Sequence, residues 1–80
     1  MLMRKYTICN MPDKDIFDKQ RKALASRIPN IEKVEILTDV DFSQTAEFYL
    51  TGNQKVLLHN SYYIGAVYIE SDVDLEEFFD

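Results

Sequence analysis

Eighty residues with 46% hydrophobic and 29% charged side chains, two glycines and two prolines describe one small folded domain and argue against a disordered chain. A lone cysteine, Cys9, excludes an internal disulfide and points to an intracellular setting, here expected to be cytoplasmic. The net charge of −5 is divided unevenly: residues 1–33 carry eight basic and four acidic side chains (+4), residues 34–80 one basic and ten acidic (−9).

The first element expected is a strand from Met3 to Cys9, broken by Asn10-Met11-Pro12-Asp13. The opening Met1-Leu2-Met3-Arg4-Lys5 lacks the apolar core of a signal peptide, and no run approaches the roughly 20 apolar residues of a membrane span. A helix over Lys14–Ile28 follows. Asp13, Asp15 and Asp18 crowd its start and Lys19, Arg21, Lys22 and Arg27 its end, the order the helix dipole favours. Ile16, Phe17, Ala23, Leu24 and Ile28 form its apolar stripe, Asn10 or Asp13 caps it, and Pro29 stops it.

Lys33–Thr38 reads as a second strand with Val34 and Ile36 inward. Strand, helix and strand in that order place strands one and two parallel within one sheet. Thr38–Gln44 is a connection in which Val40 and Phe42 look like core anchors. Ala46–Thr51 alternates, with Ala46, Phe48 and Leu50 inward and Tyr49 outward. Gly52-Asn53-Gln54 turns the chain into a fourth strand, Lys55–His59, and Asn60-Ser61 turns it into a fifth, Tyr62–Glu70. Leu75, Phe78 and Phe79 lie on one side of a short C-terminal helix. The fold class expected is α+β: order β-α-β-β-β-β, one amphipathic helix on a mainly antiparallel sheet, and a short C-terminal helix.

The chemistry-bearing residues are sparse. Asp39, Asp41 and Ser43 open something like a calcium loop, but Gln44 stands where glycine is needed and Leu50 where glutamate is needed, so no metal or cofactor is assigned. Thr38-Asp39-Val40-Asp41 and Ser71-Asp72-Val73-Asp74 each resemble a capping box with Asp in place of Glu. His59, the only histidine, has no spaced nucleophile beside it, and the two glycines cannot build a phosphate loop. An acidic chain without aromatics among its basic residues argues against direct nucleic-acid binding.

The tyrosines carry the functional reading. One helix covers one sheet face. The other would display Tyr49 with either Tyr62, Ile64 and Tyr68 or Tyr63, Val67 and Ile69, and such a face needs a cover. The cover would be the tail with Phe78 and Phe79, a second copy in a homodimer, or another protein. The preferred expectation is a non-enzymatic accessory protein. It would act by protein–protein contact through Tyr49, Tyr62, Ile64, Tyr68, Phe78 and Phe79, edged by Glu70, Asp72 and Asp74. The alternatives are a phage or mobile-element inhibitor whose carboxylate row imitates phosphates, and a small enzyme using His59 with carboxylates.

Overall fold

The charge gradient of residues 13–27 resolves into α1, Lys14–Arg27, in a computed structural model that describes residues 4–76. Asp13 is its cap. The carboxylate accepts the N–H groups of Asp15 and Ile16, two of the donors a helix start leaves open. Asp13 is itself held, because its N–H donates to Asn60 Oδ1 at 3.0 Å. Ile28, extended ahead of Pro29, ends the helix.

The strands are β1 (Arg4–Cys9), β2 (Ile31–Thr38), β3 (Gln44–Leu50), β4 (Gln54–Ser61) and β5 (Ala66–Ser71). They form one antiparallel sheet in the order β1-β5-β4-β3-β2. β1 and β2 thus run in the same direction, as strand-helix-strand order implies, but at opposite edges of the sheet. The helix lies over the middle, on β4. Alternation decides what it covers: Ala46, Phe48 and Leu50, Val56 and Leu58, and Val67 and Ile69 are buried against Phe17, Leu24 and Ile28. Leu75 closes the same core from beyond β5.

Several expectations need correction. The stretch Tyr62–Glu70 is not one interior strand. Ser61 pairs with Ala66, so Tyr62-Tyr63-Ile64-Gly65 is the β4–β5 turn, and Tyr62 and Ile64 lie off the sheet, exposed. Gly65 sits at φ +77°, a left-handed position that closes the turn through its N–H to the Ser61 carbonyl. Ser61 Oγ accepts the Ile64 N–H, so the turn falls after Ser61 and not at Asn60.

Val34 and Ile36 do face the helix side but remain 41% and 49% exposed. A helix about 10 Å wide spans only two or three strands at a spacing of about 4.8 Å. Ile31 at the start of β2 still packs against the core, but Val34 and Ile36, further along this edge strand, are beyond the helix's reach. Val40 and Phe42, expected as core anchors, are 94% and 76% exposed.

The capping-box reading also fails. The Asp39 and Asp41 carboxylates accept the N–H groups of Val40 and Ser43 inside a hairpin loop, and Ser71 Oγ accepts the Val73 N–H while Asp74 accepts that of Glu76. Phe78 and Phe79, with the C-terminal helix they were expected to build, lie outside the described residues. Among the described residues no helix is long and apolar enough to cross a membrane.

Candidate functional site

The sheet face away from α1 is a lattice of polar and aromatic groups set by register. Thr45 lies opposite His59, and His59 opposite Tyr68; one step along, Glu47, Leu57 and Glu70 align, with Lys5 beside Glu70. Tyr49 and Tyr68 are therefore on this face, as expected. They are not bare, because Lys5 sits 4.8 Å over the Tyr68 ring, and Lys33 and Lys55 sit 5.6 and 5.2 Å from the Tyr49 ring. The Tyr49 hydroxyl donates to Glu47, and that bond, with burial and the nearby charges of Glu35 and Glu47, pushes its pKa up to about 12.

His59 is the centre of the lattice. It stacks on Tyr68 with ring centroids 4.6 Å apart. Its Nδ1 meets Thr45 Oγ1 and its Nε2 meets Glu70 Oε1, each at 3.0 Å. Burial pushes the imidazole below its ordinary pKa, against the pull of the Glu70 and Glu47 carboxylates, and Lys5 adds to the lowering. The neutral ring then has one consistent arrangement: Nε2–H donates to Glu70, and the Thr45 hydroxyl donates to Nδ1.

This has a measurable consequence. Between the ordinary histidine value, about 6.5, and the lower folded value, the unfolded chain binds a proton that the folded chain refuses. Folding stability is expected to fall as pH drops through that window and to gain nothing further from His59 above it. His59→Gln should flatten the drop in urea midpoints measured between about pH 8 and about pH 5.

Hydroxyl, imidazole and carboxylate in a chain are the parts of a nucleophilic site. Thr45, however, sits in β3 between two paired neighbours, where the ladder takes up the main-chain N–H groups an oxyanion would need. The array ties three strands together across the open face.

Beside it the surface changes character. The β2–β3 loop, residues 39–43, and the β4–β5 turn, residues 62–65, meet at one end of the sheet, joined by Tyr62 N–H to Ser43 Oγ at 2.9 Å. Between them and the lattice is a cleft of about 430 Å³, lined by Asp39, Asp41, Thr45, His59, Tyr63 and Tyr68 among others, with no lysine or arginine. The tips carry Val40, Phe42, Tyr62, Tyr63 and Ile64, all exposed.

Phe42 is the anomaly. Its φ is +67°, held by its N–H to the Asp39 carbonyl and by the Asp39 N–H to the Ser43 carbonyl. The other left-handed residues among those described are Gly52, Asn53 and Gly65, types that accept that conformation. A phenylalanine there is a genuine outlier. Sequence reasoning missed this tip, since Val40 and Phe42 alternating with Asp mimic an element anchored in a core. Of the expected contact residues, the structure brings Tyr62 and Ile64 together with Tyr63 on the turn, places Tyr49 and Tyr68 on the sheet, and sets Asp72 and Asp74 in the chain beyond β5. No known protein family, curated protein or solved structure matches this chain.

Proposed function

We propose that this protein is a non-enzymatic binding module that acts by protein–protein contact, with the two joined loop tips as its working surface. The observation that carries the reading is Phe42. Placing a bulky L-residue at φ +67° costs the fold roughly 1–2 kcal/mol, and nothing inside the domain gains from it, since the side chain is in water. Four further apolar side chains stand around it on a surface that a monomer normally keeps polar. Tyrosine and phenylalanine are the residues that anchor interfaces. The rim is acidic, with Asp39 and Asp41, and among the described residues no lysine or arginine lines the cleft. The partner this fits is a protein with an apolar patch bordered by lysine or arginine.

The acidic-mimic reading has less support. It needs a spaced outward row of carboxylates. Glu70 is bound to His59, Asp72 accepts the Lys55 N–H, and Asp74 accepts from the Tyr6 hydroxyl.

Phe42→Gly separates the two roles of the residue. It is expected to raise stability by about 1 kcal/mol in urea unfolding while abolishing contact. As immobilised bait in extract of the native host, the unmodified chain should retain a protein whose capture weakens with added salt. Phe42→Gly and Tyr63→Ser should each lose it. Equal retention by all three chains, or retention by none, would sink the reading.

A further inference from the structure

We infer that the outer edge of β2 pairs with the same edge of a second copy, joining two sheets into one of ten strands. Among the described residues β2 pairs with β3 and with no other strand, so its other edge presents main-chain groups along Ile31–Thr38 that no described strand takes up. Natural edges are blunted by proline, bulges or charged side chains, lysine above all; the charges on β2, Lys33 and Glu35, are of opposite sign and complement one another across a two-fold. Here the ladder is irregular only between Ile31 and Lys33, and Lys33–Thr38 is regular. Val34 and Ile36 lie on the helix side beyond the reach of α1, and Leu37 lies exposed on the other side. A second copy related by a two-fold axis normal to the sheet would set its own Val34 against Val34, with each Ile36 diagonal to the other copy's Val34, between the two helices.

Charge complementarity selects that occupant and its register. Both helices must lie on the same side, so only residues of the same face can oppose one another. With Val34 opposite Val34, Lys33 of each copy faces Glu35 of the other, twice per interface. A shift by one pair in one direction sets Glu35 against Glu35; in the other, Lys33 against Lys33. Within one chain Lys33 and Glu35 form a solvent-exposed ion pair at 2.6 Å, with Lys33 also beside the Tyr49 ring, and in the joined sheet each would exchange that partner for its counterpart in the other copy. In this arrangement the loop tips after the two β2 strands point to opposite ends of the joined sheet. The inference does not depend on what those tips bind.

The test is sedimentation equilibrium on the full chain. The expected result is a concentration-dependent mass rising from 9.4 kDa towards twice that value. Lys33→Glu alone and Glu35→Lys alone should each weaken self-association by about tenfold or more, because two attractive pairs become repulsive. Mixing the two variants should restore it, since each then presents the charge the other lacks, and the double variant should self-associate again. Circular dichroism of each variant confirms that the sheet is intact. A chain that remains monomeric up to about 1 mM overturns the inference. So does a dimer indifferent to either charge reversal, or one dissolved by Phe42→Gly, which would move the contact to the tips.

Discussion

Asn60→Leu is expected to destabilise the fold by about 1–3 kcal/mol, although it places an apolar side chain of similar size in an apolar core. Asn60 is buried on the helix side of β4, between Gln44 of β3 and Val67 of β5. Its Oδ1 accepts the N–H of Asp13, the residue whose carboxylate caps α1. Leucine would leave that N–H without its acceptor and free the cap to shift, exposing the helix start to a further loss of about 0.5–2 kcal/mol. Against a total stability of about 5–15 kcal/mol the change is large. Urea unfolding measures it. The mechanism predicts a second result: Asn60→Leu and Asp13→Ala combined should cost less than the sum of the two alone, because both loosen one junction. Strict additivity would mean that Asn60 acts only by filling space.

That junction also explains which parts of the fold were legible. The helix could be read because three independent signals agree on it: acidic start, basic end, and a stripe through Phe17, Leu24 and Ile28. β3 could be read because Ala46, Phe48 and Leu50 alternate with polar residues over a covered face. Asn60 looked like a turn residue because asparagine usually is one. Only the packing of α1 across β4 gives it a backbone donor to meet. Tyr62-Tyr63-Ile64 failed the other way. Their β-propensity reflects fitness for a packed pleated surface. Gly65, at φ +77°, was the residue that marked a turn.

The candidate site divides along the same line. Tyr49 and Tyr68 fall on the open face because strand alternation carries them there. The His59 array was hidden, since Thr45, His59 and Glu70 meet only through the register of three strands. Phe42 was hidden for a stronger reason. Its significance lies in a backbone angle that contradicts its residue type, and local rules fail most informatively at such places.

Leu75→Ala is expected to cost about 2–5 kcal/mol, as much as a truncation in the middle of β4. The position looks peripheral, four residues past the end of β5. Yet Leu75 has no exposed surface and belongs to the same core as Phe17, Phe48 and Leu58. The chain is brought there in steps. Asp72 and Lys55 bond reciprocally, with the Asp72 N–H to the Lys55 carbonyl and the Lys55 N–H to the Asp72 carboxylate. Ser71 Oγ turns the chain through Val73, and the Tyr6 hydroxyl accepts the Leu75 N–H while donating to Asp74. The segment therefore closes the helix side of the sheet at β1 rather than covering the open face. A loss below about 0.5 kcal/mol, the scale of a surface change, would show that the segment is only laid against the domain. A loss of the expected size, with Tyr6→Phe removing a smaller share of about 1 kcal/mol, makes residues 72–75 part of the fold. Their two carboxylates, Asp72 and Asp74, then serve as internal acceptors. Asp39 and Asp41 also accept loop N–H groups, but they line the cleft at the loop tips, where a basic partner would meet them.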